Sequence, residues 1–283
     1  MHKNHTYICL WFDNNAMEVV EHYKRAFDDL KVTDENNIVV NIKTAGQKIM
    51  LLNGGPMFKQ NPSSSIMVTC ETIEEADNIY NILSEGGDII MPLDEYDWSK
   101  RFCWINDKYG VSWQIYHGKI ENTGGKKFSP TFMFTGDVCG RAEEAINYYN
   151  GVFRDSNIVG ILRYDNDENE MPDHVKHSQM QVNGLTMMFA DSSQMHTDGF
   201  NEAFSIAVEC RNQEEIDYYW QALTNGGRES MCGWLKDKFG ISWQIIPQEL
   251  GEWMRDPVLA PKVSKAFMQM KKFVIADILK AIG

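Results

Sequence analysis

The chain has 283 residues, and its 40 acidic and 27 basic side chains give a formal net charge of −13. Binding to phosphate groups needs clustered Lys and Arg, whereas basic residues occur here at most in pairs. We therefore expect neither nucleic acids nor anionic membrane surfaces as partners. This length, with 43% hydrophobic side chains, predicts two domains that each bury a core.

Six cysteines are scattered along the chain without a C-x-x-C motif. In a chain of this length, such spacing favours reduced, mostly buried thiols over a disulfide framework. The amino-terminal residues form no apolar signal segment, and no apolar run reaches membrane-spanning length. These features predict a soluble, cytoplasmic protein.

The first unit of the chain is predicted to run strand, helix and three strands. An aromatic and aliphatic run at 7–13 favours a strand, and apolar residues from Ala16 to Phe27 recur at helical spacing. Three β-type runs follow at about 31–52, and Gly46 occupies the turn of the last hairpin.

A second unit repeats this order from residue 65. Thr72 and Glu75 form a capping box for a helix that ends at Gly86 and Gly87. Short strands are predicted near 89–91 and 101–105, before a closing strand at 111–116. Residues 92–101 between the two short strands have no counterpart in the second half of the chain.

The two halves of the chain are duplicates. Residues 107–115 (DKYGVSWQI) and 237–245 (DKFGISWQI) are identical at seven of nine positions, 130 residues apart, which indicates internal repetition. The predicted division is a first domain at 1–120, a polar linker at 121–127, a second domain at 128–248 and a tail at 249–283.

The tail is predicted to form one C-terminal helix. Five apolar residues recur at roughly helical spacing after Pro261, which suits a helix start: Val263, Phe267, Met270, Val274 and Ile278. The apolar stripe would pack on its own domain or on a subunit partner.

Motifs in both halves resemble the vicinal oxygen chelate superfamily, which includes the glyoxalases and bleomycin-resistance proteins. They are CLWFD at 9–13, LNGGPMF at 52–58, Cys70 with EEAD at 74–77, and CGWLKDKFGISWQI at 232–245. The chain more closely resembles the PhnB-like branch, often labelled demethylubiquinone methyltransferase. The resemblance implies an α+β fold of tandem domains, each built from two β-α-β-β-β modules. Their curved mixed sheets would surround a small-molecule cavity, in a homodimer or a pseudo-dimeric monomer.

In metal-using members of the superfamily, His and Glu ligands lie on the first and last strands of each module. The corresponding last-strand positions here are Gln114 and Gln244, with Ser65 and Ser205 on the first strands, and Met or Leu at 50–51 and 187–188. These side chains are poor donors for a divalent cation, so we expect no cofactor and no standard metal site. A divalent metal held by other residues is the alternative. Methyl transfer is unsupported, because no G-x-G occurs to cradle a nucleotide-like cofactor.

The candidate ligand-binding residues carry hydroxyl and amide groups: Ser65, Ser112, Gln114, Ser205, Ser242 and Gln244. Strand alternation puts Ser112 and Gln114 on the face opposite Trp113. An apolar cavity with a few placed hydrogen-bonding groups suits small-molecule recognition. The alternative is that the two glutamines only bridge adjacent strands.

His177 is a further candidate, because it could face the cavity and carry a proton near neutral pH. His174 would point to the opposite face of the same segment. His5 is interpreted as a solvated terminal residue, and Asp107 and Asp237 as turn formers. No Cys-His or Ser-His-Asp arrangement is recognisable from spacing.

Together these features predict a protein that binds a small organic molecule without the standard metal site. Two alternatives belong to other classes. One is a metal-dependent lyase, isomerase or dioxygenase of the vicinal oxygen chelate type. The other is a non-catalytic assembly protein with vestigial cavities.

Overall fold

The computed structural model describes residues 6–166, 168–194 and 198–283. It divides into two compact units, a larger one at 8–204 and a smaller one that holds 205–283 and the start of the first strand. Four successive modules each run strand, helix and three strands, as the sequence predicts. The predicted domain ranges 1–120 and 128–248 stay predictions, which limited proteolysis would test.

The modules have the following bounds. Module 1 contains β1 (Thr6–Phe12), α1 (Ala16–Ala26), β2 (Lys31–Glu35), β3 (Val39–Thr44) and β4 (Gln47–Asn53). Module 2 contains β5 (Ser64–Cys70), α2 (Ile73–Leu83), β6 (Asp88–Tyr96), β7 (Ser99–Asn106) and β8 (Ser112–His117). Module 3 contains β9 (Phe128–Phe134), α3 (Ala142–Val152), β10 (Ser156–Arg163), β11 (Val175–Val182) and β12 (Leu185–Asp191). Module 4 contains β13 (Phe204–Cys210), α4 (Gln213–Thr224), β14 (Arg228–Glu229), β15 (Trp234–Lys236) and β16 (Ser242–Pro247).

Local signals in the sequence set several of these boundaries. The Thr72 hydroxyl accepts a 3.1 Å hydrogen bond from the Glu75 amide and caps α2, which confirms the predicted cap; the Glu75 carboxylate in turn accepts from the amide of Glu71. Ala45 and Gly46 both have positive φ between β3 and β4. This is the conformation that a two-residue hairpin requires.

Modules 2 and 3 share one eight-stranded mixed sheet in the larger unit. Its strand order is β10-β11-β12-β9-β5-β8-β7-β6. The central strands β9 and β5 are antiparallel, while each pairs in parallel with the last strand of its own module. The sheet therefore combines the second module of one half of the sequence with the first module of the other.

The remaining modules follow the same internal pattern. In module 1 the strands pair in the order β1-β4-β3-β2, with β1 and β4 parallel. In module 4 the order is β14-β15-β16-β13, with β13 and β16 parallel. Each module thus places its first and last strands side by side.

Helices cover one face of the sheet of modules 2 and 3. The Trp113 ring on β8 packs edge-on against Tyr23 of α1 at 5.2 Å between centroids. On the other side of the sheet centre, Phe189 of β12 stacks on Tyr149 of α3 at 5.8 Å. Side chains that alternate with these point to the opposite face, where the candidate site lies.

The structure corrects two expectations. Residues 92–101 are additional to the second half, as predicted, but they do not separate two short strands, because β6 and β7 continue through them as one long hairpin. The tail forms three short helices rather than one: α5 (Leu250–Arg255), α6 (Ala260–Phe267) and α7 (Ile275–Ile282).

Tertiary contacts explain why the tail helix breaks. Between α6 and α7 the backbone oxygens of Met270 and Lys271 accept hydrogen bonds from Cys232 and Gly233, and the Phe273 ring is buried. An uninterrupted helix would have used those oxygens internally. The tail thus packs on module 4 of the same chain, which is one of the two predicted arrangements.

Among the described residues no helix is long and apolar enough to cross a membrane.

Candidate functional site

The candidate site is the face of the modules 2 and 3 sheet that lies opposite the helices. Register places Ser65 beside both Ser112 and Thr131, and Thr131 beside Met188. Gln114 is paired with Trp104 on the neighbouring strand. We call these six side chains the Gln114 face: Ser65, Trp104, Ser112, Gln114, Thr131 and Met188.

Three of the predicted site residues come together on this face. Gln114 Nε2 donates a 2.9 Å hydrogen bond to Ser65 Oγ, and Trp104 Nε1 donates one of 2.7 Å to Ser112 Oγ. The serines are buried, while Gln114 is half-buried. Among the described residues nothing donates to the carbonyl oxygen of Gln114, so that oxygen can accept a hydrogen bond from a ligand.

The equivalent residues of module 4 are arranged in the same way but are more deeply buried. Gln244 Nε2 donates a 3.0 Å hydrogen bond to Ser205 Oγ, and Ser242 is in register with Ser205. Gln244 is only 5% exposed, and every residue of β16 is buried. The strand-bridging hydrogen bond weighed as an alternative is therefore present in both halves, but only Gln114 is partly accessible.

His177 lies on β11 and does not meet Gln114. Three strands (β12, β9 and β5) separate β11 from β8, and His177 is paired with Leu162 on the other side. Its side chain is exposed, yet the surrounding protein atoms lower its pKa below the ordinary 6.5 by desolvation. A neutral imidazole on this face can accept or donate a proton.

The donor chemistry of the Gln114 face does not fit a divalent cation. The positions where the family resemblance implies His and Glu ligands hold Ser65, Gln114 and Met188, and Thr131 lies between Ser65 and Met188 in the register of the sheet. Hydroxyl, neutral amide and thioether groups are weak ligands for Zn²⁺, Mn²⁺ or Mg²⁺. Across the described ranges, no group of three or more His, Cys, Asp or Glu side chains is arranged to hold a metal ion. His5, the remaining histidine considered above, lies outside the described residues.

Asp107 proves to be more than a turn former. Its Oδ1 accepts from the amides of Tyr109 and Val111, and its Oδ2 accepts from Trp113 Nε1 and the Tyr23 hydroxyl. Burial raises the pKa of Asp107, whereas these donors oppose that rise. The D-K-[YF]-G turn predicts the two backbone bonds but not the buried indole and phenol. In module 4, Asp237 accepts three corresponding bonds, from the amides of Phe239 and Ile241 and, at 2.8 Å, from Trp243 Nε1.

His22 was missed because it occupies an ordinary helical position in α1. It is 4% exposed, and neither ring nitrogen has a hydrogen-bond partner among the described residues. Burial lowers its pKa, as do the positive charges of Lys108 and Arg25. No periodic signal distinguishes it from an apolar core residue.

The fold also joins a Cys-His pair that spacing could not reveal. Cys139 Sγ lies 3.7 Å from His174 Nδ1. Burial raises the pKa of the Cys139 thiol, and the negative charges of Asp191 and Glu170 raise it further. The pair therefore lacks the electropositive surroundings of an activated cysteine. Burial likewise raises the pKa of Cys70 to about 12, in keeping with a structural thiol.

An internal gap exists in the larger unit, but not on the Gln114 face. It lies on the helix side, is too small to admit a water molecule and is bounded by apolar side chains that include Leu10, Phe27 and Trp113. Such a gap reflects imperfect core packing rather than a ligand site.

Comparison with known proteins assigns the family. The family model described as 3-demethylubiquinone-9 3-methyltransferase matches residues 4–116 and 126–246. The chain belongs to this family. The family domain occurs in two tandem copies, as the duplication predicts.

Two individual proteins are similar to parts of the chain. Protein YjdN of Escherichia coli is 30% identical over 76 residues, which are 26% of this chain and 52% of YjdN; the chain thus spans about half the length of that relative. The PhnB protein from Bacillus cereus is 36% identical over 39% of this chain and 96% of its own, with a TM-score of 0.35.

Glyoxalase I from Zea mays shares the fold. It aligns with 87% of this chain and 93% of its own at a TM-score of 0.56 and 9% identity. At that identity the similarity shows the fold alone. Within the family, this chain is therefore a tandem protein with the vicinal oxygen chelate architecture.

Proposed function

We propose that this protein binds a small, uncharged organic molecule on the Gln114 face without the standard divalent metal. One observation carries the proposal. Gln114 is half-buried and donates to the Ser65 hydroxyl, and none of the described residues donates to its carbonyl oxygen; the six side chains of this face carry no formal charge. Placed polar groups of this kind orient a ligand that is otherwise held by apolar contacts.

Charge favours a neutral ligand. An ion bound beside Ser65 and Gln114 would lose hydration without gaining a counter-ion, which is unfavourable. The net charge of −13 also repels anions at long range. His177 stands away from the central residues, so it is proposed as a contact for an extended ligand rather than as the anchor. Ser205, Ser242 and Gln244 would form a second site only if β16 became accessible.

A thermal-shift screen with small aromatic and polyol compounds tests the proposal. At a concentration one hundred times its Kd, a ligand stabilises the folded state by about 2.7 kcal/mol, which is easily detected. We expect at least one saturable hit with the wild type and with Gln244→Leu, and no response with Gln114→Leu. An equal response from all three proteins would remove Gln114 from the site.

Metal analysis tests the second half of the proposal. Purified protein that retains a stoichiometric Mn, Fe, Zn or Ni ion would contradict metal-independent binding and favour the enzyme alternative. The homodimer or pseudo-dimeric monomer also stays a prediction, and the mass in solution would distinguish the two.

A further inference from the structure

The β6–β7 hairpin distinguishes the sheet of modules 2 and 3 from module 4. It spans residues 88–106, whereas the corresponding β14 and β15 have two and three residues. Its outer part carries three aromatic rings in mutual contact. Tyr96 stacks on Trp98 at 4.9 Å between centroids, and Phe102 meets both rings edge-on at 5.7 Å.

Strand register joins this aromatic cluster to the Gln114 face. Phe102 is paired with Tyr116, and two residues further along the same strands Trp104 is paired with Gln114. Two residues of a strand advance by about 7 Å and return to the same face. The rings of Tyr96 and Trp98 therefore continue the surface on which Gln114 lies.

The cluster is ordered, but it is not buried as a core would be. Tyr96 is fixed by a 3.0 Å hydrogen bond from its hydroxyl to the Pro92 carbonyl oxygen, and Trp104 is fixed through Ser112. Trp98 nevertheless leaves 52% of its surface in water. An exposed indole held in place by a second ring offers a stacking surface at little entropic cost.

We propose that these rings form an aromatic wall that selects a planar, unsaturated ring system bearing a hydroxyl group. The hydroxyl group of the ligand would donate a hydrogen bond to the carbonyl oxygen of Gln114, while the ring system of the ligand stacks on Trp98. From the strand spacing, the ligand would extend about 10 Å, the length of two fused rings with a substituent. This inference rests on the proposed function and names its ligand class. Module 4 lacks the wall, so the wall also assigns binding to the sheet of modules 2 and 3.

A matched pair of probes tests the inference. 2-Naphthol and decahydro-2-naphthol share a carbon skeleton and a hydroxyl group, but only 2-naphthol is planar and aromatic. Titration calorimetry on the full-length protein is expected to give at least tenfold tighter binding of 2-naphthol. Trp98→Ala should weaken that binding about five- to tenfold, as expected for one lost stacking contact, and Trp98→Phe should retain most of it. Trp253→Ala, in α5, serves as the control and should have no effect.

The outcomes separate this inference from the proposed function. Equal affinity for the two probes, absence of saturable 2-naphthol binding, or indifference to Trp98→Ala would each overturn the aromatic wall. If other compounds of the screen still bind in a Gln114-dependent manner, the proposed function stands without it. Circular dichroism of Trp98→Ala, an exposed substitution, verifies that the variant is folded.

Discussion

The Tyr23 hydroxyl donates a 2.7 Å hydrogen bond to Oδ2 of Asp107, which also accepts a 2.9 Å bond from Trp113. This contact joins α1 of module 1 to the closing turn of module 2. All three side chains are buried. The turn that precedes Gln114 is therefore positioned by a side-chain network as well as by its own backbone.

We expect Tyr23→Phe to lower the free energy of unfolding by about 1.5–3 kcal/mol, because it removes a buried hydrogen bond to a charged acceptor. Tyr109→Phe is the matched control, since its hydroxyl bonds to Glu18 in a more exposed setting. That change should cost less than about 0.5 kcal/mol. Urea denaturation measures the free energy of unfolding of both variants. Equal losses would show that the buried Tyr23–Asp107 hydrogen bond stabilises the protein no more than the exposed Tyr109–Glu18 bond does.

A second prediction concerns the pH dependence of stability. The pKa of His22 is lowered in the folded state, so as pH falls below about 6.5 the unfolded chain takes up this proton before the folded protein does. Stability is therefore expected to fall as the pH drops from 6.5 towards the native pKa, and to be unaffected by His22 above that range.

The melting temperature of the wild type and of His22→Leu, measured from pH 5 to 8, tests this expectation. As the pH falls, the melting temperature of the wild type should decrease relative to that of His22→Leu. His117→Gln controls for the loss of a histidine as such. Parallel curves for the wild type and His22→Leu would contradict the prediction.

Much of the fold could be predicted because its signals are local. The alternation around Trp113 and the cap at Thr72 each depend on a few neighbouring residues, and both are found in the structure. The shared sheet of modules 2 and 3 depends on the pairing of β5 with β9, a contact between separate modules that no local pattern records. The tail was predicted wrongly because the hydrogen bonds of Met270 and Lys271 to module 4 override helical periodicity.

The site could be predicted in part for the same reason. Ser65 is in register with Ser112, two residues before Gln114 on the adjacent strand, so alternation predicts that the three side chains share one face. The aromatic wall was missed because residues 92–101 look like an irregular insertion, and only the long hairpin brings Trp98 to Phe102. The network at Asp107 was missed because the turn motif accounts for the aspartate without its buried partners.

A comparison of two glycines with the same φ angle distinguishes backbone strain from steric crowding where the tail contacts module 4. Gly184 and Gly233 both have φ of +81°, but a Cβ at Gly184 would meet nothing within 4 Å. At Gly233 it would lie 2.6 Å from the Phe273 ring and 2.7 Å from the Ile245 carbonyl oxygen. Gly184→Ala should cost about 1–2 kcal/mol, the price of the left-handed conformation alone. Gly233→Ala should lower the free energy of unfolding by clearly more than Gly184→Ala does. Equal denaturation midpoints for the two variants would contradict close packing of the Phe273 ring against Gly233.

The last prediction tests whether the Gln114 face preserves the geometry of a metal site while lacking its donors. Ser65, Thr131 and Met188 are successive register neighbours across three strands, and Gln114 reaches Ser65 directly. Replacing them together, as Ser65→His, Thr131→His, Gln114→Glu and Met188→Glu, supplies two imidazoles and two carboxylates, a suitable donor set for Co²⁺ or Zn²⁺. We expect this variant to bind one equivalent of Co²⁺, visible by absorption spectroscopy, whereas the single change Gln114→Glu should bind none. A folded quadruple variant that binds no cobalt would show that these strands do not converge on one point, and would weaken the case that a ligand bridges them.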